Sequence, residues 1–218
     1  MRLYILFSLL SVFFSISGIT QIYSIPYFEN FDSFPTDNSD TTGAEIFTLA
    51  NHWQNETSDD PQDWTARSAP AYPSSFASGP TGDHTSQSGT YLYLCDQFGE
   101  HSNVGLLSPG FDATGISGYL ELSFWIHSRY YRNSPSQNFI KVEASLNQST
   151  WTELDSIPAL TGFDQWIERQ IDLSAYAGNI FYLRFSGSTI HSYQIHDFGI
   201  DDLKIEEKTF AGSIQKKD

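Results

Sequence analysis

The chain has 218 residues, 39% of them hydrophobic, 16% aromatic and only 17% charged. That length suits one sizeable core, and the aromatic content excludes intrinsic disorder. Eleven Lys and Arg against 26 Asp and Glu give a net charge of −15, which repels nucleic-acid phosphate and anionic lipid. Cations, neutral sugars and basic protein surfaces remain as partners.

At the N-terminus, Met1 and Arg2 precede an apolar run from Leu3 to Phe14, followed by the small residues Ser15, Ser17 and Gly18. This is the pattern of a secretory signal peptide over residues 1–21, cut somewhere between about residues 17 and 24. The run is too short to span a bilayer comfortably, and no later run is apolar enough to do so. The expectation is therefore a secreted or cell-surface protein with no transmembrane segment once the leader is gone. Cys95 is the one cysteine, so no intrachain disulfide can form. Within the alternating stretch 90–96, Cys95 reads as a small core hydrophobe.

Beyond the leader, the apolar residues recur with period two. Leu120, Leu122, Phe124 and Ile126 share one face; so do Ile140, Val142, Ala144 and Leu146, and then Phe181, Leu183 and Phe185. Weaker strands are predicted over 45–50, 64–67, 104–107, 151–154 and 166–173. Turn clusters rich in Gly, Pro, Ser, Asn and Asp separate them, notably 78–83 and 132–136, and no stretch offers a sustained helical face. Many short strands with such punctuation predict an all-β sandwich with antiparallel sheets.

In the last strand Phe198 and Ile200 are in phase, as are Leu203 and Ile205, but the two pairs are offset by one residue. Either a bulge lies near Asp201 and Asp202, or the strand buries opposite faces at its two ends. A bulge would aim one of the two carboxylates at a metal; a strand leaving the core would simply solvate both.

Several segments, taken in order, resemble a MAM domain, the module named from meprin, A5 protein and receptor tyrosine phosphatase mu. They are Phe28-Glu29-Asn30-Phe31-Asp32, Trp53, Asp63-Trp64-Thr65, the Gly79-Pro80-Thr81-Gly82-Asp83-His84-Thr85 run with Gly89-Thr90-Tyr91-Leu92-Tyr93, Leu107-Ser108-Pro109, Phe124-Trp125-Ile126-His127, Trp166, and Ile200-Asp201-Asp202. The likeness covers residues 25–207 and leaves 208–218 as a disordered tail. The resemblance implies a jelly-roll β-sandwich used extracellularly for adhesion, not itself catalytic. The chain lacks the disulfide cysteines of the animal modules and is similar instead to cysteine-poor bacterial members.

The resemblance also implies a cation. Calcium takes six to eight oxygen ligands from carboxylates and carbonyls of distant segments, and first and last strands that pair would bring Glu29 and Asp32 near Asp201 or Asp202. The expected ligands of a structural Ca²⁺, or Na⁺ in its place, are Glu29, Asp83 and Asp201, with Asp32 and Asp63 as second choices; solvated loop acids are the other reading.

No HExxH, GxSxG or His-Cys arrangement is present, so no enzyme is expected, although His84, His127, His191 and His196 stand near carboxylates. His84 is expected to fix its loop and His127 to end a strand as a polar tip. The leading expectation is a binding or adhesion module for an extracellular protein or glycan. One alternative is a carbohydrate-binding module accessory to a secreted hydrolase, for which Tyr130, Tyr131 and Tyr193 would present rings to a sugar; Trp53 and Tyr72 are further ring candidates. A secreted hydrolase is the second alternative.

Overall fold

A computed structural model describes residues 21–36, 48–56, 63–68, 79–95, 101–130, 138–158, 164–189 and 196–209. Residues 1–20 of the expected 1–21 leader and residues 210–218 of the expected 208–218 tail lie outside them. Among the described residues, twelve strands form two six-stranded sheets. The first runs β1 (Ile22–Ser24), β6 (His101–Asp112), β11 (Ile180–Thr189), β8 (Phe139–Ser145), β9 (Thr152–Pro158), with β3 (Gln54–Asn55) also on β6. The second runs β10 (Trp166–Asp172), β7 (Tyr119–Tyr130), β12 (His196–Lys208), β5 (Thr90–Leu94), β4 (Thr65–Ser68), with β2 (Tyr27–Glu29) also on β12. Every pairing is antiparallel except the short β1–β6 contact. This is the expected β-sandwich.

The period-two runs face the core as the alternation requires. Leu120, Leu122, Phe124 and Ile126 of β7, Ile140, Val142 and Ala144 of β8, and Phe181, Leu183 and Phe185 of β11 are all fully buried. Leu146 departs from that pattern: β8 ends at Ser145, and Leu146 is 55% exposed in the turn that follows. Trp53 lies in the core, edge-on to Phe31 and tilted against Phe185. Lys208, expected in the tail, is still strand, paired with Tyr119.

The slip in β12 is a bulge. Asp201 is opposite Trp125 but Lys204 is opposite Ser123, so β12 carries one extra residue, and Asp202 takes a positive φ of 47° to absorb it. At the same point β12 changes its other neighbour: Phe198 to Ile200 pair with β5, whereas Leu203 to Ile205 pair with β2. The ends of β2 and β5 therefore meet beside the bulge.

Asn55 joins the two sheets. Its carboxamide accepts from Trp64 N (3.0 Å) and donates to Trp64 O (2.9 Å), while the Trp64 indole donates to Val104 O (3.0 Å). Polar groups at these buried positions need such partners.

Candidate functional site

The outer face of the second sheet is unusual for a solvent-side surface, because its side chains are covered. Trp166, His127, Gly199 and Tyr93 form one row across β10, β7, β12 and β5. Tyr91 and Tyr93 form a second, smaller hydrophobic cluster there, with Cys95 and Trp166 against it. Cys95 thus packs on the outside of the sheet and not in the main core, because strand alternation places it with the tyrosines and not with Leu92 and Leu94.

The Gly-Pro-rich loop 79–89 lies over this row. The Trp166 indole donates to Gly82 O (3.1 Å), Thr81 Oγ1 donates to Asp164 (2.7 Å), and the His84 ring stacks on Trp125 at 3.7 Å. A side chain at Gly199 would meet Trp166 at 2.9 Å and Pro80 at 3.0 Å, so only glycine allows the loop to lie this close. His127 is fully buried beneath, its Nε2 2.9 Å from Asp164 Oδ1. It is not the polar tip expected from the sequence, since β7 continues three residues past it, to Tyr130.

Aspartates fix the loop from both ends. Asp201 accepts from His84 N (2.8 Å), and Asp202 accepts from Thr85 Oγ1 and lies 2.7 Å from His84 Nδ1. Asp83 gathers the rest of the loop, accepting from Ser86 N (2.8 Å), Ser86 Oγ (3.0 Å) and Gly89 N (2.6 Å). Asp32, arriving from the end of β2, accepts from Thr90 N (2.9 Å) at the start of β5. His84 therefore fixes its loop as expected.

Of the five expected metal residues, Asp32 and Asp83 both crowd Gly89, and Asp201 holds the amide of His84, the residue after Asp83. Asp201 is 1% exposed. Burial pushes its carboxyl up to about 8; the His84 amide opposes this, and the neighbouring charges of Asp202 and Asp83 reinforce it. Burial also acts to raise Asp83, but the amides of Ser86 and Gly89 and the Ser86 hydroxyl outweigh it and hold Asp83 below its ordinary value. Glu29 is opposite Leu203, as pairing of first and last strands required. Its carboxylate, however, accepts from Phe31 N (3.1 Å), Asn51 Nδ2 (2.7 Å) and Tyr27 OH (3.3 Å). Asp63 precedes β4 at the Tyr93 end of the β4–β5 pair, away from Thr90 and the other acids.

Among the described residues, no group of three or more His, Cys, Asp or Glu side chains is arranged to hold a metal ion as it stands. The donor chemistry of Asp32, Asp83 and Asp201 suits a hard cation, because each carboxylate oxygen retains lone pairs beyond its N–H bonds. None of the three makes an ion pair with a described Lys or Arg.

Of the expected sugar-contacting rings, Tyr131 and Tyr193 lie outside the described residues, as does Tyr72, and Tyr130 is described only as the last backbone position of β7. The first sheet offers others that sequence reading missed. Trp151 is half-buried with the Arg184 guanidinium 4.7 Å from its ring, and Arg184 in turn bonds Glu143 (2.7 Å) and Glu56 (3.3 Å). Tyr182, two residues before Arg184 on the same face, is also half-buried. Trp151 precedes a weak strand whose pattern gave no hint of its face, whereas Tyr182 and Arg184 occupy the outward phase of the Phe181, Leu183, Phe185 alternation.

No family model matches the chain. Among solved structures, the K2 cleaved adhesin domain of Lys-gingipain is 16% identical, with a TM-score of 0.50, over 84% of this chain and 99% of that domain. The carbohydrate-binding module TmCBM61, solved with β-1,4-galactotriose, is 15% identical with a TM-score of 0.48, over 83% of this chain and 99% of that one. At such identities the likeness concerns the fold. The MAM resemblance rests on the motifs of the sequence.

Proposed function

We infer that the protein is a secreted or cell-surface binding module, not an enzyme, and that its ligand is a carbohydrate. The observation that carries this reading is the engagement of the acid and histidine groups. His84–Asp202, His127–Asp164, Asp83 and Asp201 clamp one loop onto one sheet. His127 is fully buried and Asp201 is nearly so, which keeps both from a substrate, whereas a rigid sandwich with partly exposed rings is what a sugar face needs. Trp151, Tyr182 and Arg184 supply such a surface on the first sheet, with Glu143 and Glu56 fixing the Arg184 guanidinium. The acidic charge of the chain points to a neutral saccharide and disfavours uronates and sulfated glycans. Carbohydrate is preferred to protein contact because rings beside carboxylates and a guanidinium match sugar C–H faces and hydroxyls, while extended exposed apolar surface is scarce among the described residues.

A structural cation, Ca²⁺ or Na⁺, is part of the same proposal. Asp32, Asp83 and Asp201 would hold it, and its chemistry would be to neutralise carboxylates gathered on the clamped loop. The MAM likeness supports that placement, as does the absence of a described Lys or Arg paired with these acids.

A glycan array probed with the full secreted chain tests the reading. Selective retention of neutral glycans, weakened about tenfold by Trp151→Ala as expected for a lost stacking ring, is predicted. Retention of protein ligands alone would return the adhesion reading.

A further inference from the structure

The Trp151 face accounts for nothing where β1 gives way to β2. An open cleft of about 420 Å³ lies there, within the size range of small-ligand sites. Two kinds of group line it. Tyr23, Tyr27 and Phe28 supply aromatic carbon; Glu29, Asn51 and Ser24 supply polar atoms.

Phe28 is 59% exposed, the most exposed of the large hydrophobic side chains among the described residues. It occupies the outward position of β2, opposite Lys204, while Tyr27 and Glu29 on either side turn inward and are buried. Nothing in the packing of the sandwich requires a phenyl ring at such a position. Tyr23 stands against Tyr27 with ring centroids 5.3 Å apart, which fixes a second aromatic wall.

The polar side of the cleft is set in advance. Asn51 is held in a left-handed backbone conformation, φ 51°, and its amide nitrogen donates to Glu29 Oε2 at 2.7 Å and to Ser33 Oγ at 3.2 Å. Both amide hydrogens are then used, and Oδ1 remains as an acceptor with no described partner. Glu29 is oriented by Phe31 N, Tyr27 OH and Asn51, so its carboxylate cannot swing away from the cleft without breaking three bonds.

We propose that this cleft is a binding subsite for a single neutral sugar unit, its C–H face on the aromatic carbon of Phe28 and Tyr23 and a hydroxyl donating to Asn51 Oδ1. The proposal rests on the carbohydrate reading above and adds a second site to it. A fixed acceptor beside an open aromatic surface favours a ligand that is apolar on one face and carries hydroxyl donors at its edge, which describes a pyranose. The Glu29 carboxylate and the net charge of −15 exclude an anionic sugar.

Titration of the full chain with methyl glucoside, methyl galactoside, methyl xyloside and methyl glucuronide, followed by ¹⁵N-resolved NMR, tests it. A neutral glycoside is expected to shift the amide signals of Tyr23, Phe28 and Asn51. Phe28→Ala is expected to weaken binding about tenfold, the scale of one lost aromatic contact, with unchanged Tm because the ring is exposed. Asn51→Ala is expected to weaken it too, and Leu146→Ala, an exposed apolar residue elsewhere, to leave it unchanged. Binding that shifts only signals of the Trp151 face, or that survives Phe28→Ala, would overturn the cleft while leaving the carbohydrate reading intact. Tighter binding of the glucuronide would overturn the neutral class. No binding of any saccharide, including oligosaccharides, would overturn both.

Discussion

At Gly89, an added methyl group would lie 2.3 Å from Asp32 Oδ1 and 3.0 Å from the Asp83 carboxylate. Gly89→Ala must therefore push two aspartates apart or distort the start of β5, and should cost about 1–3 kcal/mol, the range of overpacking. Urea unfolding measures it; an unchanged midpoint would mean that the acids are not held together. Asp164 makes a pH prediction. The His127 hydrogen bond, opposed by burial and helped by Thr81, lowers its carboxyl to about 2. A depressed carboxylate stabilises the fold fully above its ordinary value of 3.8 and loses that contribution as pH falls towards 2. Wild type should melt above Asp164→Asn at neutral pH, and the two curves should converge in that acid window. Parallel curves down to the acid limit would contradict the role given to Asp164. At this scale the sequence marked Asp83 and Asp201 through their motifs. Phe28 entered only as part of the Phe28–Asp32 motif and not as an exposed ring, and Asn51 passed unnoticed, since an outward ring in a three-residue strand and an asparagine outside any strand have no periodic signature.

The loop 79–89 behaves as an element although it has no regular structure. Its amides are tied to Asp83 and Asp201 and its His84 ring to Trp125, so its order depends on side chains rather than on a ladder. His84→Ala removes the stack and the bond to Asp202. Hydrogen exchange of amides in residues 82–89 should speed up roughly five- to tenfold, the equivalent of about 1 kcal/mol, while β7 and β11 keep their protection. Equal acceleration in β7 would show that the loop is part of the global unfolding unit instead. The β12 bulge was legible because Phe198 and Ile200 fall out of phase with Leu203 and Ile205, and only an inserted residue keeps both pairs buried on one face. β1 and β3 were not legible as strands, since at three and two residues they are too short for alternation to register; β2 was expected only as the first strand that pairs with the last. The covered outer face of the second sheet was also hidden, because Tyr91 and Tyr93 carry the outward phase that usually meets solvent.

For the whole molecule, alternation in β7, β8 and β11 was enough to predict two antiparallel sheets, since each long strand buries one face and must find another sheet to cover it. Which acids would meet was only half legible. Pairing of β2 with β12 follows from the fold, but Glu29 turned to Asn51 while Asp32 reached Gly89 and Thr90, a matter of local hydrogen bonds. If Ca²⁺ is held at Asp32, Asp83 and Asp201, its addition should raise Tm and EDTA should reverse the shift, because a ligand that binds only the folded state stabilises it. An indifferent melting curve would remove the cation. The central claim, carbohydrate binding without catalysis, is tested most directly by frontal affinity chromatography of the full chain against neutral oligosaccharides, with mass spectrometry of the eluted ligand. Saturable retention with the oligosaccharide recovered uncut is predicted; cleaved ligand, or no retention of any saccharide, would contradict it.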